Sequence, residues 1–343
     1  MSNLKVAVVI LNWNGKHFLE KFLPTVLKYS PINSVFVADN CSSDDSIAFL
    51  KSNYPDVNIV LNSDNGGFAK GYNDALKKIP AEYYILLNSD VEVSENWINP
   101  IIEFMDELPT VAACQPKILS YIDRSKFEYA GACGGFMDKY GYPFCRGRMF
   151  DFCETDEGQY NDIAEIVWAT GACMFVRANV FNQLNGFDED FFAHMEEIDL
   201  CWRMRNLGKQ IFVIPQSTVY HVGGGTLNKS NPKKTFLNFR NNLVMLLKND
   251  ASSFILLKIT YRLLLDGIAG LVFISKGKFA DCFAIIKAHF AFYGLISKTL
   301  AKRKIIFSHP DFNSSNKLVL NSNVVFQFYV KGKKTFADLN FNK

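Results

Sequence analysis

Three acidic residues lie within four positions in the stretch Glu196-Glu197-Ile198-Asp199, where the sequence predicts the start of a helix. Carboxylates are stabilised at a helix N-terminus by the helix dipole, so a purely structural role would account for them. A carboxylate held at such a point can also take a proton from a hydroxyl group. The residue types therefore allow general-base chemistry without deciding between the two roles.

Two further acidic residues each follow a predicted strand. Asp39 ends a β-branched run, where a carboxylate can accept hydrogen bonds from a nucleoside or can simply begin a turn. Asp90 comes just past an apolar run and two residues after Asn88. Carboxylates in this position can hold a divalent cation, although they also end strands frequently. Both sites therefore have a functional and a structural interpretation.

Glycines and one histidine mark two other segments. Asn65–Asn73 places three glycines around a predicted helix start, which would let backbone amides approach a phosphate or a sugar closely, or would form only a tight turn. His221 follows a short predicted strand and precedes the three glycines 223–225, where a flexible loop could close over a ligand.

The elements that position these residues follow from the apolar pattern. Short β-branched or aromatic runs predict strands at Val6–Leu11, Val35–Ala38, Val57–Leu61, Tyr83–Leu87 and Val111–Ala113. Helices are predicted between them at Lys16–Lys28, Ser43–Asn53, Phe68–Ile79 and Trp97–Leu108. Nearly continuous apolar strands separated by helices indicate parallel βαβ units with both sheet faces covered.

The regular pattern ends at about residue 121 and returns near residue 166. Residues 121–165 are predicted to form a mostly irregular segment with one hairpin, of the kind that shapes a substrate pocket. Later elements are predicted as a strand Ile166–Val176, a helix from Arg177, a helix Glu197–Leu207, a strand Gln210–Ile214, a helix Thr235–Lys248 and a strand-like run Val324–Val330.

The usual phosphate-binding motifs are missing after the first strand. The stretch Asn12-Trp13-Asn14-Gly15 is neither a Gly-x-Gly-x-x-Gly motif nor a P-loop, which argues against a dinucleotide dehydrogenase or a P-loop kinase. A sugar-nucleotide pyrophosphorylase would need a glycine-rich loop ending in Arg near residues 10–20, and none is present.

Several separated segments nevertheless occur in a familiar order: Val8–Gly15, Val37–Ser46, Asn65–Asn73, Leu86–Val91, and Gly186–Glu189 followed by Phe191–Arg205. Together they resemble the family 2 glycosyltransferases, in particular the bacterial rhamnosyltransferase-like branch, over about residues 4–250. The resemblance implies the GT-A fold, an α/β architecture with a Rossmann-like, mostly parallel central sheet flanked by helices. It also implies inverting transfer from a nucleoside-diphosphate sugar, UDP- or dTDP-linked, with a divalent cation, Mg²⁺ or Mn²⁺.

On this resemblance, Asn12 and Asp39 would hold the nucleoside, with Asp39 facing the base. Asn65 and Gly67 would line the diphosphate and sugar side of the donor. Asn88 stands at the first position of the family's Asp-x-Asp metal motif, where this chain departs from the pattern, and is expected near the nucleotide sugar.

The same resemblance assigns the remaining groups. Asp90 and His221 would hold the cation, the latter through a neutral imidazole. Glu197 would be the general base, with Glu196 contacting the acceptor or orienting the loop; the choice between the two stays open. Asp199 would be structural and would pair with Arg203.

For the acceptor, Trp168 would stack on a sugar and Gly171 would lie beside it, although a tryptophan here would be equally ordinary in a core. The acceptor expected from the resemblance is a saccharide or a lipid-linked saccharide in surface polysaccharide assembly, such as O-antigen or capsule. The alternative is a catalytically inactive sugar-nucleotide-binding or membrane-scaffold protein, which Asn88 suggests. No nucleic-acid partner is expected.

Charge divides the chain unevenly. Residues 1–250 carry 23 Lys and Arg against 30 Asp and Glu, whereas residues 251–306 carry nine against two and are rich in Leu, Ile and Phe. The predicted division is 1–120 for nucleotide-sugar binding, 121–250 for acceptor binding and catalysis, 251–306 as a helical segment, and 307–343 as a tail. We expect the helical segment to dock on an anionic inner-leaflet membrane surface. The alternative is that it packs on the main domain or on a second subunit in a homo-oligomer.

The expected location is the cytoplasm, with peripheral attachment to the inner face of the cytoplasmic membrane. Eight cysteines are scattered without zinc-site spacing, as is typical of a reducing compartment. The first residues enter a predicted strand directly, and no signal peptide is predicted.

Overall fold

The computed structural model describes residues 4–223, 231–314, 317–339 and 341. The first part alternates strands and helices: β1 (Leu4–Asn12), α1 (Lys16–Tyr29), β2 (Val35–Asp39), α2 (Ser46–Asn53), β3 (Asn58–Leu61), α3 (Gly67–Leu76), β4 (Ala81–Asn88), β5 (Val91–Val93), α4 (Asn99–Glu107) and β6 (Val111–Ser120). Short strands follow: β7 (Gly135–Asp138), β8 (Pro143–Cys145), β9 (Arg148–Met149), β10 (Phe152–Cys153) and β11 (Ala164–Glu165). The remaining elements are β12 (Cys173–Arg177), α5 (Ala178–Gln183), α6 (Glu196–Arg205), β13 (Gln210–His221), α7 (Pro232–Asn249), α8 (Ile255–Ser275), α9 (Phe279–Phe307), β14 (Val319–Leu320) and α10 (Val324–Tyr329).

The central sheet has the strand order β11-β13-β6-β12-β4-β1-β2-β3, with β5 paired to β13. Strands β1 to β4 are mutually parallel where they pair, and β6 is parallel to β13, whereas β12 runs antiparallel between β4 and β6. Alternate residues of β1 enter different clusters, with Val8 and Ile10 on one face and Ala7 and Val9 on the other. Both faces are therefore buried, which confirms the predicted α/β architecture.

The segment predicted to be irregular contains a small second sheet. Strands β7 to β10 form an antiparallel series, and β14 from the tail adds to β7 in parallel. The predicted strand Ile166–Val176 was too long, because only β12 is extended and residues 166–172 make irregular contacts instead. Ile166 to Ala169 are still fully or almost fully buried, which explains why their apolar pattern resembled a strand.

The prediction of a strand-like run at Val324–Val330 was wrong, because Val324–Tyr329 forms the helix α10. The side chain of Asn323 accepts a hydrogen bond from the amide of Phe326 and so caps the helix. Phe328 then packs its ring against Phe150, 4.9 Å between centroids. A capping residue and a long-range contact outweigh the β-branched and aromatic composition here.

Candidate active site

The nucleoside end of the site lies where β1, β2 and β4 end. Asn12 pairs with Asp39 in the parallel ladder, and its neighbour Leu11 pairs with Asn88, so three strand ends meet at one edge of the sheet. Asn12 Nδ2 donates to Asp39 Oδ1 at 3.1 Å, and Asp39 Oδ2 accepts from the backbone amide of Ser42 at 2.9 Å. Asp39 thus shapes the turn that follows β2 while lying beside a second predicted site residue.

One acceptor atom at this edge has no partner in the structure. Asn12 Oδ1 is buried and receives no hydrogen bond, and Gly15 is so close that an added Cβ would lie 2.5 Å from it. The same Cβ would lie 3.5 Å from the Oγ of Ser89, in the loop after β4. A buried acceptor without a donor is costly unless a ligand supplies one.

The glycine-rich segment begins α3, but protein atoms use its amides. Asn65 Oδ1 accepts from the amide of Gly67 at 3.0 Å, and the carbonyl oxygen of Phe192 accepts from the amide of Phe68 at 2.7 Å. Gly67 has φ +82°, and a Cβ there would lie 2.4 Å from that carbonyl oxygen. The amides of Gly67 and Phe68 are thus paired within the protein, and the approach of this segment to a phosphate stays a prediction. The glycine lets the loop at Phe192 approach α3.

Asp90 and His221 are brought together from opposite ends of the sequence. His221 Nε2 lies 3.1 Å from Asp90 Oδ1 and 3.5 Å from Asn88 Nδ2, while its Nδ1 lies 3.0 Å from Glu128 Oε2. Burial by itself lowers the pKa of His221, but the two carboxylates outweigh burial and raise it to about 10. Burial would raise the pKa of Asp90, yet the His221 imidazolium holds it below its usual value. The two carboxylates therefore favour the protonated imidazole, whereas the predicted role as a metal ligand requires the neutral form.

Among the residues that the structure describes, no three acidic, His or Cys side chains form a group able to enclose a metal ion. The Asp90–His221 pair nevertheless fits two neighbouring positions on an octahedral cation, since donors about 2.1 Å from Mg²⁺ lie about 3 Å apart. Glu128 would orient the imidazole from behind, as carboxylates do at many metal sites. Magnesium commonly takes only one or two protein ligands and completes its shell with phosphate and water, so two residues are sufficient. Metal binding would displace the imidazole proton.

A strained loop precedes the acidic pair. Phe192, His194 and Met195 all have positive φ angles, of 64°, 69° and 74°. Asn241 of α7 is buried and points its side-chain amide at this loop. The amide nitrogen lies 2.7–2.9 Å from three backbone carbonyl oxygens, those of Phe191, Ala193 and His194. Left-handed backbone at non-glycine residues is costly, so the loop depends on such external support.

Glu196 and Glu197 begin α6 directly after this loop. Each has a carboxylate oxygen that is buried without a hydrogen-bond partner. Burial, together with the neighbouring Glu197 charge, raises the pKa of Glu196 well above its ordinary value. Burial raises the pKa of the half-buried Glu197 to about 7. A carboxylate with this pKa is suited to exchange a proton near neutral pH.

Gly171 connects the acidic pair to the loop after β4. A Cβ on Gly171 would lie 3.8 Å from the Glu197 Cβ and 3.0 Å from the ring of Phe68. The next residue, Ala172, accepts a hydrogen bond from the amide of Asn88 at 3.0 Å. Glu197 and the Asn88–Asp90 loop therefore lie on either side of one short segment.

Trp168 is placed in the core and not on this cleft. It is 3% exposed, and its Nε1 donates to the carbonyl of Phe136 at 2.8 Å. A Cβ on Gly135 would lie 2.1 Å from its ring. The predicted stacking of Trp168 on a sugar is thus not available in this conformation, because neighbouring residues already cover the ring.

Ion pairs join the loop to the C-terminal helices. Asp199 pairs with Arg203 at 2.9 Å, as predicted, and also with Lys248 of α7 at 2.7 Å. Lys248 in turn reaches Asp188 at 2.6 Å, and Lys302 of α9 pairs with Asp188 and with Asp190. The Gly186–Glu189 segment therefore ties α7 and α9 to the loop that carries the acidic pair.

Sequence reasoning missed Glu128, Asn241 and Lys248. Glu128 lies in the excursion without periodicity, and the other two lie on a helix whose polar residues resemble a solvated face. Only the three-dimensional packing shows that they are buried. The remaining predicted loop residues, 224 and 225, lie outside the described residues.

Comparison with known proteins gives a consistent result. Residues 7–182, about half of the chain, match the family model described as glycosyl transferase family 2. The N-acetylglucosaminyl-diphospho-decaprenol L-rhamnosyltransferase of Mycobacterium tuberculosis is 25% identical over 236 residues, which cover 64% of this chain and 76% of that protein.

Two solved structures share the fold. Residues 1–349 of S. aureus TarS in complex with UDP-GlcNAc align with a TM-score of 0.55 and 16% identity, over 88% of this chain and 86% of that one. The mannosyltransferase PcManGT of Pyrobaculum calidifontis, in complex with GDP-Man and Mn²⁺, aligns with a TM-score of 0.51 and 12% identity, over 85% and 88% of the two chains.

Proposed function

Since this chain belongs to glycosyl transferase family 2 and has the GT-A fold of its rhamnosyltransferase-like members, we propose that it transfers a sugar from a nucleoside-diphosphate sugar to a lipid-linked saccharide, with inversion at the anomeric carbon. One observation carries the proposal. Asn12 and Asp39, the Asp90–His221 pair and Glu197 are linked through neighbouring strand ends and the segment at Gly171 into one continuous region. Such a region can hold a donor at one end and a nucleophile at the other.

The donor would bind along the strand ends. Asn12 Oδ1 is a free buried acceptor, and Asp39 lies 3.1 Å from the amide of the same residue, so both can receive hydrogen bonds from a nucleoside. Asn88 is next along the edge and would contact the diphosphate or sugar. Asn65 and Gly67 would act by holding α3 against the loop at Phe192, since Asn65 Oδ1 and the Gly67 amide are already paired with protein atoms.

Asp90 and His221 would hold a divalent cation, Mg²⁺ or Mn²⁺, with Glu128 orienting the imidazole. When bound, the cation supplies positive charge to the departing diphosphate, which lowers the energy of the transition state. The Mn²⁺ in the PcManGT complex supports cation use in this fold.

Glu197 would act as the general base. Its carboxylate takes the proton of the acceptor hydroxyl, and the acceptor oxygen forms its bond to the anomeric carbon on the face opposite the diphosphate, whose own bond to that carbon breaks. Glu196 is more deeply buried, and desolvation together with its neighbour's charge raises its pKa well above the ordinary value, so we assign it an orienting role. Gly171, where a Cβ would lie 3.8 Å from that of Glu197, would stand beside the acceptor.

We place the reaction at the inner face of the cytoplasmic membrane, within surface polysaccharide assembly. The name of the mycobacterial relative specifies a diphospho-decaprenol acceptor, which is a lipid. A nucleotide-sugar donor is made in the cytoplasm, and none of the eight cysteines, all within the described residues, forms a disulfide. A lipid-linked acceptor and a soluble donor meet only at that surface.

The test is a screen of UDP-, dTDP- and GDP-linked sugars with Mn²⁺ or Mg²⁺ and a short polyprenyl-diphosphate saccharide, read by mass spectrometry. We expect one donor to be consumed only when both acceptor and cation are present, with the anomeric configuration of the product inverted. The variant Glu197→Gln is the control and should bind the donor without turnover. Donor binding without turnover by the unaltered protein, across all acceptors, would instead support an inactive sugar-nucleotide-binding protein.

A further inference from the structure

Helix α8 has its polarity reversed relative to a helix on the surface of a water-soluble domain. Its charged side chains Arg262 and Asp266 face inward and are almost fully buried. Arg262 lies over the ring of Tyr142, 3.6 Å from the centroid, and donates to the carbonyl of Tyr140. The outward stripe at spacings of three and four is apolar instead: Leu257, Tyr261, Leu264, Ile268 and Leu271 are 37–68% exposed.

Helix α9 adds a second exposed stripe beside the first. Asp266 contacts His289, and a Cβ on Gly270 would touch Cys282, so the two helices form an antiparallel hairpin. Phe279, Phe283, Ile286, Phe290 and Tyr293 follow the same spacing and are 45–71% exposed. Sixteen of the 26 large apolar side chains exposed in the described part of the chain lie between Phe254 and Ile305. A continuous apolar surface of this kind marks an interaction site.

The charges on the hairpin identify the partner. Both acidic residues within 255–307, Asp266 and Asp281, are buried, whereas the exposed charged residues are all lysines, namely Lys276, Lys278, Lys287, Lys298 and Lys304. Of these, Lys298 is paired with Asp190. A second copy docked through this face would bring lysines against lysines. An anionic bilayer accepts both the apolar stripes and the cations, because lysines on an interfacial helix reach the lipid phosphates.

The hairpin lies along the domain and does not project from it. By length and composition α9 is apolar enough to cross a bilayer. However, Asp281 near its start accepts from Thr235 of α7 at 2.5 Å, and Arg303 near its end donates to the carbonyl of Leu247 at 2.8 Å. A helix tied to the domain at both ends presents one side to its surroundings.

We infer that the α8–α9 hairpin lies flat in the interface of an anionic lipid bilayer, with its two apolar stripes inserted among the acyl chains. The inference deepens the proposed function and rests on it in one respect, since the lipid-linked acceptor is reached at that surface. Membrane binding is nevertheless measured without turnover, so the two can fail separately.

The test is flotation of the full-length protein with vesicles of phosphatidylglycerol and phosphatidylethanolamine, compared with phosphatidylcholine alone. We expect binding to the anionic vesicles that weakens as salt is raised. The double variant Leu271→Glu/Phe290→Glu should lower the partition constant by about tenfold or more for each substitution, because each removes a large inserted side chain and adds a charge. The control Ile32→Glu/Ile122→Glu changes two apolar side chains that are 90% and 81% exposed elsewhere, and should bind like the unaltered protein.

Activity on a short water-soluble acceptor should be the same in both double variants, which separates membrane docking from catalysis. Absence of flotation of the unaltered protein would overturn the inference. Equal flotation of the Leu271→Glu/Phe290→Glu variant would also overturn it. The inference would also be overturned if the unaltered protein did not bind vesicles and instead formed a dimer that this variant dissociates. Thermal unfolding should be unchanged, since the substituted side chains are exposed.

Discussion

Replacing Glu197 with Gln should lower activity and raise stability together. The carboxylate has a pKa raised from 4.5 to about 7 by burial. At about 1.36 kcal/mol per pKa unit, its ionised form costs the folded state about 3 kcal/mol at pH 8. An uncharged amide of the same shape avoids that cost. With an unfolding entropy of about 2.1 cal/mol/K per residue, a gain of this size raises Tm by about 4 °C in a chain of this length.

The pH dependence has a defined sign. Because the pKa of Glu197 is higher in the folded than in the unfolded protein, its protonated form stabilises the fold fully below about pH 4.5, and this contribution is lost as pH rises through 7. The Tm difference between Glu197→Gln and the unaltered protein should therefore be near zero at pH 4.5 and largest at pH 8. The kcat/KM of the unaltered enzyme should fall about tenfold per pH unit below pH 7, where the base becomes protonated.

The assays are differential scanning calorimetry at the two pH values and steady-state turnover with saturating donor. We expect kcat to fall by about two to four orders of magnitude with the donor affinity little changed. Glu103→Gln, an exposed substitution on α4, is the matched control and should change neither property.

A purely structural role predicts the opposite sign. If Glu197 only stabilised the start of α6 through the helix dipole, its amide would lose about 0.3–1 kcal/mol and leave turnover intact. A lower Tm at pH 8 with near-normal activity would therefore refute the reasoning. Loss of activity in Glu196→Gln rather than in Glu197→Gln would identify Glu196 as the general base.

Three further substitutions test other parts of the site. Asp39→Asn should raise the KM for the donor by about tenfold, with kcat nearly unchanged, because a charged acceptor to the nucleoside is lost; an unaltered KM would contradict this. Asp90→Asn should raise the Mn²⁺ concentration for half-maximal activity by about tenfold in a metal titration. Asn241→Ala should cost about 3 kcal/mol in the free energy of unfolding and lower kcat by about tenfold, because buried carbonyls lose their donor. Asn242→Ala is its control, because it removes the bond to the Gly141 carbonyl and the weaker contact with Met195 Sδ but none to the three loop carbonyls: it should cost about 1 kcal/mol and leave kcat unaltered.

Local pattern was sufficient to predict the strands and helices of the first 120 residues. The run Val6–Leu11 lies inside β1, and the helix Lys16–Lys28 lies inside α1, because near-continuous apolar strands and period-3.6 helices are local properties. The same rule placed Asp39 and Asp90 at strand ends that meet. Parallel topology brings such ends to one edge whatever the distance along the chain.

Features that depend on distant contacts could not be predicted. The role of Gly67 follows from a carbonyl oxygen 125 positions away, and Trp168 is covered by Gly135. The reversed polarity of α8 depends on which side of the helix meets Tyr140 and Tyr142. Composition alone indicated an apolar, basic segment, but only packing shows that Arg262 and Asp266 of α8 face inward.

The ion pairs that join α9 to the strained loop before Glu196 determine how the protein can be engineered. A gene shortened at codon 250 would strip Asp190 of both its lysine partners and leave the carbonyl of Leu247 without Arg303. It would also expose the side of α7 that packs against α9. A version suited to crystallisation without detergent should therefore keep its full length and exchange the outward leucines and phenylalanines for glutamine or lysine.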